Sequence, residues 1–353
     1  MKYLIEQLPM VGCLSIILET DNAIAIDFVG QTELTIKITN DGEFIKIPYP
    51  EKIEVLNKEI NLIKGTDGEY YMRLKYKVGS ANGSSAKTLD MLVDESEWIW
   101  TKKELELAEL YEFRCNHCSN CVFSNKTNCT KLNSMPSEFW MELMDYWHCH
   151  KPNIKDKGKN EAYATKYNSL QPNKYEVLVG SSSFQSIPDT FEGTITIQEK
   201  NVHCKQCDAV IGEYTNEKLC TIFKWCLQNQ FGEKYPSAQH VLSSILNSIN
   251  STSTRYILLK TGKSKHIFLW VFSVGINIAT SNNFIITNSM KILYKNNVDD
   301  SVTSTRNVEE ILVTEETYDS FKELLISMNE KLPVKIRTMK DWDVAYIPTK
   351  ILS

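Results

Sequence analysis

Long apolar runs are missing from this 353-residue chain. None reaches the roughly 18 residues that a helical membrane span needs, so a membrane partner is not expected. An excess of positive charge is missing as well. The formal net charge is −5, which argues against broad electrostatic adhesion to nucleic acid or to an anionic membrane, and direct nucleic-acid binding is not expected. The densest basic stretch, from Lys151 to Lys174, reads with its Asn, Pro and Gly residues as a solvated linker. The chain has no phosphate-cradling Gly loop, no dinucleotide fingerprint, no nucleophile elbow and no His-Glu-x-x-His helix, which removes the common nucleotide-binding, serine-hydrolase and metalloprotease readings. No internal repeat is found. The opening run MKYLIEQLPMVGCLSIILE is interrupted by Glu6 and Pro9 and is followed by no small-residue cleavage site, so a secretory leader is not expected. The ten cysteines then read as reduced thiols and metal ligands rather than disulfides.

What is present is organised around the stretch from Cys115 to His150, CNHCSNCVFSNKTNCTKLNSMPSEFWMELMDYWHCH. It joins a cysteine cluster to an amphipathic helix. Pro136 suits the first turn, Phe139, Trp140, Leu143, Met144 and Trp147 form one apolar stripe, and Glu138, Glu142 and Asp145 fall on the opposite face. A second Cys-x-x-Cys knuckle, Cys204 and Cys207, lies 86 residues beyond the first, counted from Cys118 to Cys204. Zinc takes four thiolate or imidazole ligands in a tetrahedron, and each knuckle supplies two from one tight turn. The expected zinc site is therefore Cys115, Cys118, Cys204 and Cys207, with Cys149, His150, Cys121 and Cys129 as alternative ligands. Cys220 and Cys226 sit in an apolar run and read as core, while His117, His203, His240 and His266 read as exposed or hydrogen-bonded rather than as ligands. No catalytic residue is assigned; Cys149, flanked by His148 and His150, is the candidate nucleophile.

Around this region the pattern is of short strands with turn signals: CLSIILE, AIAIDFV, ELTIKIT, EFIKIP and YYMRLKYKV. Residues 94 to 113 read equally as strand or helix. Later come strands RYILLK, HIFLWVFSVGINIAT and MKILYKN, a helix over residues 236–250 and another across EETYDSFKELLISMNEKL. The fold class is α+β and sheet-rich: antiparallel β lobes, a few helices and a zinc-knuckle region. The expected division is 1–110 as an antiparallel β lobe, 111–215 as the knuckle and amphipathic-helix region, and 216–353 as a C-terminal α+β lobe, together one integrated fold.

The order of the first knuckle, the PSEFWMELMDYWHCH block, the second knuckle CKQCDAVIG and the late ILLKTGKSKHIFLWVFS resembles the HECT-like ubiquitin ligase family, from about residue 110 to residue 345. The most specific residues are Pro136, Ser137, Trp140, Glu142, Leu143, Trp147, Cys149 and His150. Animal members of this family bind a ubiquitin-conjugating enzyme, and its fungal members are proteins important for polyadenylation. The resemblance thus implies an E3 ubiquitin ligase label, residence in nucleus and cytoplasm, and a role in mRNA 3′-end cleavage and polyadenylation through contact with the cleavage machinery and its endonuclease subunit. One departure bears on chemistry. True HECT ligases carry a thioester-forming cysteine in the C-terminal lobe, whereas here the last cysteine is Cys226 and residues 227–353 have none. The expectation is a zinc-stabilised protein-binding factor of 3′-end processing, with an active E3 ligase that binds a conjugating enzyme and transfers ubiquitin as the alternative.

Overall fold

Alternating apolar and polar residues become strands wherever the sequence shows them, and the outcome is a sheet-rich α+β protein whose strands pair mostly antiparallel. The computed structural model describes residues 1–56, 60–65, 68–77, 99–135, 171–215, 218–262, 265–281, 284–296, 307–349 and 351. The helix expected from Pro136, with Trp140, Trp147, Cys149 and His150, lies outside the described residues. The chain forms two units, one from Met1–Asp94 with Ser248–Leu352 and one from Glu95–Asn247.

In the first unit, Cys13–Glu19 alternates so that Leu14, Ile16 and Leu18 are buried. It pairs on one side with Lys2–Leu8 and on the other with Glu69–Lys75. Lys2–Leu8, within the opening apolar run, is thus an interior strand, and its other neighbour is His266–Thr280. The ten-stranded sheet continues through Phe284–Lys295 to Trp342–Pro348. Tyr256–Thr261 runs antiparallel to His266–Thr280 and parallel to Val308–Val313, a strand with no counterpart in the sequence reading. A three-stranded sheet of Ile24–Val29, Glu33–Ile38 and Phe44–Pro48 contributes Leu34, Ile36 and Ile47 to a core shared with Ile5, Ile16 and Met72. The helix Glu315–Glu330 starts at Thr314, whose hydroxyl accepts from the Thr317 N–H, and it buries Tyr318, Phe321 and Leu325. The helix Ser237–Thr252 begins in the second unit and ends in the first, and it buries Val241, Leu242, Ile245, Leu246 and Ile249, the stripe its spacing requires.

In the second unit, the ambiguous segment resolves into both forms. Thr101 and Glu104 make a reciprocal capping box that starts the helix Lys102–Leu107, and Glu112–Cys115 follows as a strand. That strand is central in a three-stranded sheet, between Leu227–Asn229 and Cys121–Ser124. A seven-stranded sheet runs in the order Lys131–Ser134, Glu176–Val179, Ser183–Ser186, Cys220–Phe223, Val210–Tyr214, Asn201–Cys204 and Ile195–Gln198. Phe113, Phe123, Phe184 and Phe191 pack in a chain of tilted and edge-on rings, and Cys115 and Cys204 belong to the same core.

Gly212 faces the strand Cys220–Phe223 so closely that a β-carbon there would stand 2.1 Å from the Thr221 carbonyl oxygen. Backbone is the obstacle, so no rotamer change relieves it. Gly212→Ala should therefore cost at least about 1–3 kcal/mol, the usual penalty of overpacking, read as a lowered midpoint in thermal or urea unfolding.

Candidate metal centre

Two β-hairpins carry the knuckles, and their turns are built alike. In the first, Cys115 N–H donates to the Asn120 carbonyl and Ser119 N–H to the Cys115 carbonyl, both at 2.9 Å. In the second, Cys204 N–H donates to the Ala209 carbonyl and Asp208 N–H to the Cys204 carbonyl, again both at 2.9 Å. Ser119 and Asp208 hold the corresponding left-handed position, with φ of 60° and 57°. The Cys115 sulfur accepts from the N–H groups of His117 and Cys118, and the Cys204 sulfur from those of Gln206 and Cys207. Each turn therefore aims peptide dipoles at its leading sulfur, an arrangement that favours thiolate.

The two turns meet. Cys115 Sγ is 3.8 Å from Cys207 Sγ, Cys118 Sγ is 3.6 Å from Cys204 Sγ, and all four sulfurs lie within 4.8 Å of one another. A tetrahedral ion about 2.3 Å from each sulfur sets the sulfurs about 3.8 Å apart. The four cysteines therefore fit a metal ion in both donor type and spacing. Cys115 and Cys204 are buried against the core and Cys118 and Cys207 are half-buried.

Without a cation this concentration of thiols resists ionisation. Burial pushes the Cys115 thiol up, and it pushes Cys118 up to about 12. Burial also opposes ionisation of Cys204, but the N–H groups of Cys207 and Gln206 and the thiols of Cys118 and Cys207 outweigh it and bring that group down to about 7. One thiolate supported by neighbouring protonated thiols is what crowding of like charge allows; a cation would change that balance for all four.

The alternative ligands stand apart. Cys121 is half-buried beside Glu112, and burial followed by that carboxylate pushes its thiol up to about 11. Cys129 is buried, accepts from the Tyr111 hydroxyl at 3.2 Å and donates to the Lys131 carbonyl. Cys149 and His150 are outside the described residues. Cys220 is fully buried and Cys226 packs half-buried against the same core. His203 Nδ1 lies 2.8 Å from the Asp208 carbonyl oxygen and so braces the second knuckle. His240 departs from the sequence reading: its ring stacks on Trp225 at 3.6 Å between centroids, its Nδ1 has no hydrogen-bond partner, and burial lowers its pKa to about 4.

Several supporting residues carried no motif. Asn116, inside the first knuckle, donates its backbone N–H to the Cys226 carbonyl and its side-chain amide to the Trp225 carbonyl at 2.8 Å. Gln228 donates to the Ser119 hydroxyl at 2.9 Å. Lys224 is fully buried and its ammonium donates to the carbonyls of Ile99, Trp100, Gly180 and Ser181, over the faces of Phe184 and Tyr235. Its signal in the sequence is a lone Lys in the apolar run TIFKWCL, which only a ring of acceptors tolerates.

Comparison with known proteins places these features in context. The family described as HECT-like Ubiquitin-conjugating enzyme (E2)-binding matches residues 6–344. An uncharacterized protein of Saccharomyces cerevisiae is 33% identical over 358 residues, covering 98% of each chain. An uncharacterized protein of Schizosaccharomyces pombe is 23% identical over 276 residues, covering 72% of this chain and 78% of its own. No solved structure matches.

Titration of metal-free protein with cobalt(II) should give a tetrahedral thiolate spectrum that saturates at one equivalent. Cys118→Ser should lose that spectrum and Cys121→Ser should keep it; the reverse pattern would move the ligand set. Binding must strip protons from thiols held above neutrality, so affinity rises with pH, and the spectrum should fade as pH drops from 7.5 toward 5, followed by absorbance.

Proposed function

The chain belongs to the HECT-like ubiquitin-conjugating enzyme (E2)-binding family, and on that premise we propose that it is a zinc-stabilised binding protein that docks a ubiquitin-conjugating enzyme. We further propose that it serves mRNA 3′-end cleavage and polyadenylation, in nucleus and cytoplasm, by contact with the cleavage machinery and its endonuclease subunit. The observation that carries the binding reading is the four-sulfur cluster that ties two hairpins together. Four thiolates close the coordination shell of zinc, so an ion held by Cys115, Cys118, Cys204 and Cys207 would offer no open position for substrate and would act by holding the hairpins. The 3′-end processing role rests on the resemblance carried by Pro136, Ser137, Trp140, Glu142, Leu143, Trp147, Cys149 and His150.

Binding is favoured over relay because residues 227–353 contain no cysteine to receive ubiquitin. Of the nine described cysteines, four form the cluster, Cys220 is fully buried with its thiol pushed up to about 12 by that burial, Cys129 is buried and bonded to the Tyr111 hydroxyl, burial and Glu112 push Cys121 up to about 11, and Cys13 and Cys226 are half-buried. A thiol held protonated is a poor nucleophile. Ubiquitin chemistry then stays on the cysteine of the conjugating enzyme, which this protein brings into place.

Freshly purified protein should contain one equivalent of zinc by elemental analysis. Depletion in cells should shift polyadenylation-site use and lower the amount of the endonuclease subunit, and a folded Cys149→Ala variant should restore both. Incubation with activating enzyme, conjugating enzyme and ubiquitin should give no reducible ubiquitin adduct on this protein in a non-reducing gel; such an adduct, together with failed rescue by Cys149→Ala, would establish the relay ligase instead.

A further inference from the structure

The first knuckle does more than hold sulfur. Its Asn116 and Ser119 grip the segment Trp225–Gln228 through the bonds described above, and Leu227 pairs with Cys115 in the strand register. That segment runs directly into a turn at Asn229–Glu233. The Asn229 side-chain oxygen accepts from the N–H groups of Phe231 and Glu233 at 3.0 Å each, and its amide donates to the Glu233 carboxylate at 2.7 Å. Asn229 N–H donates to the Glu233 carbonyl, Gly232 N–H donates back to the Asn229 carbonyl, and Gly232 takes the left-handed φ of 82° that closes the loop. Gln230 anchors the turn from outside, accepting from Glu112 N–H and donating to the Leu110 carbonyl.

All this fixes a turn whose tip, Phe231, is 79% exposed. A single exposed Phe is ordinary on a protein surface. Here side-chain and backbone bonds have already removed the loop's freedom, and the phenyl ring still points to water. A rigid aromatic with little left to lose in entropy is the usual form of an interface anchor. Leu107, 78% exposed, precedes the Leu110–Glu112 segment to which Gln230 is tied, and Glu109 and Glu233 are exposed acids on these same two segments, while the nearby Glu106 is paired with Lys102.

We infer that Phe231 is the anchor by which this protein engages its conjugating enzyme, seated in an apolar pocket of that enzyme rimmed by Lys or Arg, with the metal knuckle holding the turn in place. The inference rests on the proposed docking of a conjugating enzyme and names the surface for it. The acids supply charge complementarity, which acts on encounter rate and salt dependence, while the ring supplies affinity. A metal held by the four cysteines would act on the partner only through covalent and hydrogen-bonded neighbours: sulfur, knuckle, strand, turn.

The test uses the full zinc-loaded chain and a panel of purified Saccharomyces cerevisiae conjugating enzymes, with affinities from biolayer interferometry. Phe231→Ala should weaken capture at least tenfold while melting temperature and zinc content stay at wild-type values, and Phe231→Tyr should bind within about threefold of wild type. A photoreactive phenylalanine analogue at position 231 should cross-link to the captured enzyme, which gives a readout free of any folding defect in the Ala variant. Equal capture by wild type and Phe231→Ala, or no cross-link from position 231 while capture persists, overturns the anchor and leaves the docking reading standing. A wild-type chain that captures no member of the panel overturns the docking reading and the anchor together.

Discussion

Four sulfurs within 4.8 Å of one another impose a choice on the polypeptide: keep most of them protonated, or admit a cation. The surrounding structure is arranged for the second option. Peptide N–H groups converge on Cys115 and Cys204, the most buried sulfurs, while Cys118 and Cys207 stand nearer the surface. An ion would then be held from beneath by groups already committed to negative charge. Bringing Cys118 to Cys204 closes a loop of 86 residues, which costs on the order of 4 kcal/mol in chain entropy. Structural zinc sites supply roughly 10–16 kcal/mol, so the ion can offset that closure several times over.

The near-identity of the two turns suggests why the unit tolerates so much polar material close to its core. Each hairpin satisfies its own backbone, and their bulkier neighbours Phe113, Phe123, Phe184 and Phe191 fill the space behind. Lys224 follows the same logic with the opposite charge. Its ammonium is surrounded by carbonyl oxygens from residues 99–100 and 180–181, so a buried cation joins segments distant in sequence much as the sulfurs do. Replacing it with an apolar residue would leave those carbonyls to find other donors in a dry place.

Much of the strand content was legible, because period-two alternation in CLSIILE or EYYMRLK has no helical reading that buries one face, while the long run HIFLWVFSVGINIAT reads as strand from its β-branched and aromatic content. The four clustered cysteines were legible for a chemical reason, since Cys-x-x-Cys geometry is local and survives any tertiary context. Pairings set by distant partners were not. Nothing within MKYLIEQL says that it lies between Cys13–Glu19 and His266–Thr280, and nothing in VEEILV announces a parallel partner at Tyr256–Thr261. Lys224 and Phe231 were missed for complementary reasons. One is a charged residue buried by acceptors from elsewhere, the other an apolar residue held out by a turn that Asn229, Gln230 and its own backbone bonds stiffen.

The position of Lys2–Leu8 also sets an order of events during synthesis. Its backbone partners at Leu4–Gln7 are Asn277–Thr280, 270 or more residues later, so this strand leaves the ribosome long before half of its hydrogen bonds can form. Residues 95–247 are contiguous and can complete their unit while the first strands still wait. Non-local pairing of this kind slows folding and leaves apolar edges uncovered in the interval. The burden on chaperones should therefore fall on Lys2–Leu8, and ribosomal speed between its codons and those of His266–Thr280 governs how long its open edge waits.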